Sequence, residues 1–167
     1  VNDWINSKNL TKKKFVIMHA GSSQQHKQKR WACFPELAKS LYDKNLNIIW
    51  VGSNDDNDIN KRLSSALGID ATNQFSVLEL IELGKQALFA VTNDSAPMHI
   101  LSCSNIPIYA LFGPTNPKRT HALGQGNRVI SVQSVFPEDD SKFTPNEISK
   151  ISLSSVLEKI KKDNIIT

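Results

Sequence analysis

Phe15-Val16-Ile17-Met18-His19-Ala20-Gly21-Ser22-Ser23 is the stretch on which the fold turns. Four apolar residues run up to a histidine, an alanine and a glycine, and two hydroxyl residues follow. A short apolar run closed by glycine is a buried strand more often than a helix. Four further runs share its character, at residues 47–52, 88–92, 106–113 and 128–132. They are close to continuously apolar, as strands of a parallel sheet must be when both faces are covered.

Helical patterns fall between these runs. Phe34, Leu37, Ala38 and Leu41 mark one face of a first helix. Ile59, Leu63, Ala66 and Leu67 mark a second, which Gly68 should end, and Val77, Leu80, Ile81 and Leu83 a third, which Gly84 should end. Residues 97–103 form a short fourth. Residues 152–162 form a last one, with Leu153, Val156, Leu157 and Ile160 inward and lysines toward its C-terminus, where the helix dipole favours them. Strand alternating with helix predicts βαβ units and therefore an α/β fold built on a parallel sheet. Residues 1–14 are polar and read as a linker or the remnant of a preceding domain. Residues 133–145 are polar, acidic and carry two prolines, and read as a loop.

The chain has 167 residues, room for one domain with a real core but not for two. Because it begins at Val1 rather than Met, it is read as a fragment or a processed chain. Lys and Arg number 20 against 16 Asp and Glu, a net charge of +4 that suits an anionic small ligand or an anionic membrane surface without requiring either. No nucleic-acid-binding motif accompanies that charge, so nucleic acid is not an expected partner. Cys33 and Cys103 lie far apart and are expected to be buried small hydrophobes in a reducing compartment. No apolar run approaches the ~20 residues that would cross a bilayer.

In an open α/β sheet, ligands sit beyond the carboxyl ends of the strands, and the unusual polar residues of this chain concentrate there. After the third apolar run comes Thr92-Asn93-Asp94-Ser95-Ala96-Pro97-Met98-His99. Asp94 or Ser95 can cap the following helix and Pro97 fits its first turn, so free N–H groups there would suit a diphosphate. His99 is expected one turn further on, on the ligand side. After the first run, Ser22 and Ser23 can donate to phosphate oxygens and Lys29 can supply a compact positive charge for a leaving group. Read alone, the same loop is equally a solvated basic turn. The chain has no GxxxxGK[ST], GxGxxG after a strand, GxSxG or HExxH, and its histidines are scattered. A His-based metal site is therefore not expected, and no cofactor is called for.

Three of these segments, in this order and each at a strand end, resemble the ADP-heptose:lipopolysaccharide heptosyltransferases of glycosyltransferase family 9. They are Met18 to Ser23 with Lys29-Arg30-Trp31, the Thr92 to His99 run, and Leu111-Phe112-Gly113-Pro114-Thr115-Asn116-Pro117. The resemblance covers roughly residues 15–132. It implies the C-terminal domain of a GT-B glycosyltransferase, a Rossmann-like three-layer αβα sandwich over residues 15–167 that holds the nucleotide sugar. It also implies an inverting, metal-independent transfer from a donor such as ADP-heptose to a lipid A/core oligosaccharide acceptor. The setting would be the cytoplasm or the cytoplasmic face of the inner membrane.

Carried across position by position, Ser22, Ser23 and Lys29 would contact the diphosphate, and Asp94, Ser95, Ala96 and His99 would hold the diphosphate and the donor sugar. Asp56 would take the ribose and Phe75 would pack on the base, although Phe75 serves equally well as ordinary core. Lys29, Asp94 and His99 would be the catalytic set of this half, while the general base and the acceptor site would lie in an N-terminal domain. The sequence departs from the family at Ala96, where Gly is usual, at Asp56, which is shorter than the usual Glu, and in a long loop between Ser23 and Lys29. These departures keep open another GT-B glycosyltransferase or a sugar-nucleotide epimerase that uses a UDP-sugar, and a non-catalytic nucleotide-sugar-binding domain.

Overall fold

The computed structural model describes residues 1–133 and 136–166. Its centre is a six-stranded sheet, β1 Phe15–His19, β2 Asn47–Trp50, β3 Ile69–Asp70, β4 Phe89–Asn93, β5 Ile108–Phe112 and β6 Val129–Ser131. The spatial order is β3-β2-β1-β4-β5-β6 and every pairing is parallel. The helices are α1 Asn2–Ser7, α2 Phe34–Tyr42, α3 Asn57–Ala66, α4 Val77–Gln86, α5 Ala96–Ser102, α6 Pro117–Thr120 and α7 Leu153–Lys162.

The pleat sorts each strand onto two cores, because successive side chains point to opposite faces. Val16 and Met18 of β1 join Phe34, Leu37 and Leu41 of α2, Leu63 of α3, and Val156 and Ile160 of α7 on one face. Phe15 and Ile17 join Ile5 of α1, Leu80 and Leu83 of α4, and Met98 and Leu101 of α5 on the other. The expected three-layer αβα sandwich is therefore what forms. Tyr109 of β5 is fully buried and donates its hydroxyl to Asp163 Oδ2 at 2.8 Å, and Arg128 Nε reaches the same oxygen at 3.1 Å. This pairing fixes the end of α7 against the sheet.

The expected strands recur with ends shifted by one or two residues. A sixth strand, Ile69–Asp70, was not foreseen, since two residues carry no periodicity. Gly68 does close the second helical pattern: it sits at φ +100°, where a side chain would be strained, and an added Cβ would lie 2.8 Å from Trp50 Nε1. Gly84 ends nothing, and α4 runs through it to Gln86. Residues 1–14 are more than a bare linker. Within them α1 forms, Ile5 and Leu10 are buried, and the Lys13 ammonium donates to the carbonyls of Lys85 and Ala87. Among residues 133 and 136–145 only the short turn Asp140–Lys142 is regular, as the loop reading expects. Cys33 is only partly buried and Cys103 is exposed, so the reading of both as buried fails. They are free thiols. Cys103 lies just past α5, between half-buried Ser102 and buried Ser104. Among the described residues no helix is long and apolar enough to cross a membrane.

Candidate functional site

Strand order reverses direction of growth between β1 and β4, and a crevice opens beyond the carboxyl ends of strands at such a point. A cavity of about 510 Å³ lies there. It is lined by the loop after β1, the turn after β2, the segment before α4, and the segment joining β4 to α5. Asn93, the last residue of β4, holds these pieces in register. Its amide donates to the carbonyls of Ala20 and Gly21 at 2.9 and 3.0 Å, and its oxygen accepts from the Trp31 N–H at 3.2 Å. Both ends of the loop after β1 are thereby tied to β4.

Part of the cavity lining is charged. Lys29 Nζ lies 2.6 Å from Asp94 Oδ2, and Thr115 Oγ1 donates to the same oxygen at 2.7 Å. The pair is largely shielded, with side-chain exposures of 18% and 7%, so the attraction is less screened than on an open surface. One of the three Lys29 N–H donors is used, which leaves donors for an anion. Ser23 is exposed at the rim.

Another part of the lining is apolar. Phe75 and Val77 line it, and Trp4 of α1 meets Phe75 edge-on with ring centroids 5.0 Å apart. Phe75 is therefore both a wall of the cavity and a part of the α1-side core.

Three further lining side chains form a linked chain, two of them buried. Asp56 Oδ2 accepts from the Ser53 N–H at 2.9 Å and lies 3.4 Å from His19 Nε2, while His19 Nδ1 lies 3.0 Å from Ser95 Oγ. His19 is 3% exposed and Asp56 4%. Gly21 and Gly52 make room for the carboxylate, since a Cβ on Gly21 would lie 1.7 Å from Asp56 Oδ1 and one on Gly52 2.7 Å from Oδ2. Burial works to raise the Asp56 carboxyl. The His19 hydrogen bond and charge, the Ser53 N–H and the Arg30 guanidinium outweigh it and hold the carboxyl below the usual carboxylate value.

A carboxyl depressed by folding stabilises the fold at pH values above its unfolded value, and that stability is lost as pH falls through the folded one. Wild type should therefore lose stability steeply below about pH 4. Asp56→Asn should be less stable at pH 7 and show a flatter acid limb. Urea midpoints between pH 3 and pH 7 measure this, and parallel curves for the two proteins would contradict it.

The structure brings Ser22, Ser23, Lys29, Asp56, Phe75, Asp94, Ser95 and Ala96 to this one cavity. It does not bring His99. At about 100° per residue, the face of α5 that carries Ala96, Pro97 and Ile100 to the cavity turns His99 outward, and His99 is exposed. Three finer expectations also change. Ser95 occupies the N-cap position of α5 but makes no capping bond, because its hydroxyl is engaged with His19 and Asn93. The Ser22 hydroxyl donates to the His26 carbonyl at 2.9 Å and accepts from Arg30 Nε at 3.1 Å, so it braces the loop rather than facing a phosphate. Asp56 turns its carboxylate inward, and Oδ1 is buried without a partner rather than open to a ribose.

His19, Asn93 and Thr115 were not singled out from the sequence, although all three lie in the quoted segments. For His19 and Asn93 the available signal was a polar residue at the very end of an apolar run, since a strand's last side chain faces the crevice; Thr115 lies in the loop beyond β5 and carries no such signal.

A sequence model of glycosyltransferase family 9 (heptosyltransferase) matches residues 3–146. Lipopolysaccharide heptosyltransferase 2 of Escherichia coli (strain K12) is 31% identical over 111 residues, which cover 61% of this chain and 32% of that protein. Lipooligosaccharide heptosyltransferase 2 of Haemophilus influenzae is 29% identical over the same share. The chain thus spans about a third of the length of the curated relatives it matches. Among solved structures, E. coli ADP-heptose lps heptosyltransferase II superposes with a TM-score of 0.75 at 22% identity, over 96% of this chain and 50% of that one. A family 9 glycosyl transferase from Veillonella parvula gives 0.77 at 22%, over 96% and 49%.

Proposed function

Since this chain belongs to glycosyltransferase family 9, the heptosyltransferase family, we propose that it is the nucleotide-sugar-binding half of an inverting, metal-independent glycosyltransferase of lipopolysaccharide core biosynthesis. One observation carries the reading: a single cavity at the β1/β4 switch point is lined both by an aromatic ring, Phe75, and by a lysine–carboxylate pair, Lys29 and Asp94. That arrangement suits a ligand with a flat base and an anionic diphosphate. ADP-heptose has this chemistry, and the Phe75 wall would pack on its adenine while Lys29, Ser23 and the N–H groups at the start of α5 would receive the diphosphate.

Transfer by this route needs an acceptor hydroxyl to attack the anomeric carbon as nucleoside diphosphate leaves. Negative charge then grows on the leaving diphosphate. Lys29 stabilises it more in the transition state than in the bound donor, and this difference is what speeds the step. Asp94 and Thr115 hold the ammonium in place for that role. A general base for the acceptor, and the lipid A/core oligosaccharide acceptor itself, belong to residues beyond this chain. So this half alone should bind nucleotide but transfer sugar poorly or not at all. Work at the cytoplasmic face of the inner membrane fits the same reading, with the net charge of +4 favouring anionic lipid.

Calorimetry with ADP, UDP and GDP tests the proposal. ADP should bind most tightly, and EDTA should leave its Kd unchanged. Tighter UDP binding would favour a UDP-sugar enzyme of the same architecture, and a large loss with EDTA would oppose metal-free binding.

A further inference from the structure

Ser95 lies on the cavity wall, and a serine beside a proposed diphosphate site is ordinarily taken to donate its hydrogen to phosphate. The hydrogen bonds here point elsewhere. The hydroxyl has one hydrogen, and two protein acceptors stand within reach of it: His19 Nδ1 at 3.0 Å and the Asn93 carbonyl at 3.2 Å. The Asp56 carboxylate behind His19 is an acceptor only, so Nε2 is the ring nitrogen that carries a proton toward it. With Nδ1 bare, the Ser95 hydrogen goes to His19. With Nδ1 protonated, Ser95 accepts from His19 and its own hydrogen goes to Asn93. In both states the hydrogen stays inside the protein, and what Oγ offers the cavity is a lone pair.

A lone pair repels an unprotonated phosphate oxygen and attracts a hydroxyl. We propose that Ser95 is a hydrogen-bond acceptor for a ring hydroxyl of the nucleotide sugar, held in that role by His19 as a positioning residue with Asp56 behind it. The inference rests on the nucleotide-sugar reading and deepens it. It assigns Ser95 to recognition of a sugar rather than of the diphosphate, which leaves the anion to Lys29 and its neighbours. It also accounts for a histidine being 3% exposed at a strand end, where apolar residues would pack without needing partners.

The test compares wild type with Ser95→Ala, His19→Asn and His19→Gln. Binding is measured for ADP-heptose, for ADP, and for inorganic pyrophosphate displacing a fluorescent ADP analogue. Ser95→Ala should weaken ADP-heptose about tenfold, the usual worth of one such hydrogen bond, and leave pyrophosphate unchanged. The ADP arm identifies the ring: an equal loss assigns the ribose, and no loss assigns the donor sugar. The His19→Asn amide reaches where Nδ1 stands and should keep the affinity within about threefold. The His19→Gln amide reaches where Nε2 stands, abandons Ser95 and should match Ser95→Ala. It should add nothing in the Ser95→Ala background, since the two act as one unit. Thermal midpoints identify any variant that merely fails to fold, and His19→Asn serves as the rescue. A pyrophosphate loss in Ser95→Ala, or losses that multiply in the double variant, would overturn the assignment. Wild type that binds pyrophosphate but neither ADP nor ADP-heptose would instead sink the nucleotide-sugar reading beneath it.

Discussion

Lys29→Ala should raise the Kd for ADP at least about tenfold, and in the complete enzyme should lower the transfer rate by about 10²–10³. The two magnitudes differ for a physical reason. In the bound donor the diphosphate is already charged, and the ammonium attracts it only moderately. As the glycosidic bond breaks, additional charge appears on the leaving oxygen, and a donor already in place stabilises that increment with no reorganisation. Removing the ammonium also has a second effect. Asp94 is buried, and without Lys29 its Oδ2 keeps, among the described residues, the Thr115 hydroxyl alone, which exposes an incoming diphosphate to an unneutralised carboxylate. Adding Asp94→Asn to Lys29→Ala should therefore recover part of the lost ADP affinity. Lys29→Arg should be intermediate, since the charge is kept but the planar fork does not fit a site built around one compact ammonium. Raising the salt should shrink the wild-type advantage. Calorimetry that finds equal ADP affinity in wild type and Lys29→Ala would remove Lys29 from the anion site.

Much of this architecture was legible in the residues, and the reasons for the rest are specific. Continuous apolar runs such as Phe15-Val16-Ile17-Met18 announced buried parallel strands, and the crevice rule then directed attention to the segments that line the cavity. Helix ends are less legible, because glycine closes only one of the patterns it suggests, at Gly68. Past four other helices asparagine takes that place: Asn9, Asn45, Asn105 and Asn164 all adopt positive φ. Helix α1 was missed because only Ile5 and Leu10 bury in that stretch, too few to show a period.

At the site, the strand-end rule brings side chains to the cavity but does not fix their orientation. Ser22, Ser95 and Asp56 do reach the cavity, but a hydroxyl or carboxylate has several partners to choose from, and spacing does not reveal which it takes. His99 shows the same limit on a helix. A residue one turn from the cap is close to the ligand side in distance, yet the rotation of α5 set by burying Met98 and Leu101 turns it away.

Gly84→Ala should destabilise the fold by about 2–3 kcal/mol, which separates the two readings of that residue. As a helix stop, Gly84 would be a weak local signal. As an interior position of α4, replacing it by alanine should on propensity alone stabilise the protein by ~1 kcal/mol. The packing reverses that sign. An added Cβ would sit 2.1 Å from Ser104 Oγ and 2.7 Å from Ser104 Cβ, both far inside van der Waals contact, and 3.2 Å from Leu101 Cδ2, tight by a few tenths of an ångström. Ser104 cannot swing clear at no cost, because its hydroxyl donates to the Ile81 carbonyl at 2.9 Å and its side chain is buried between α4 and the residues after α5. Helix α5 leads out of the cavity wall, so the strain should reach the site as well. The ADP Kd should rise in Gly84→Ala even below the temperature at which unfolding begins. Ser104→Ala in that background removes the nearest oxygen but keeps the methyl-like carbon, so it should restore stability only in part. Ser104→Gly should restore more. Urea denaturation of the four proteins gives the comparison. A Gly84→Ala midpoint at or above that of wild type would show that α5 can move away freely, and would return Gly84 to the minor role its place in the sequence suggests.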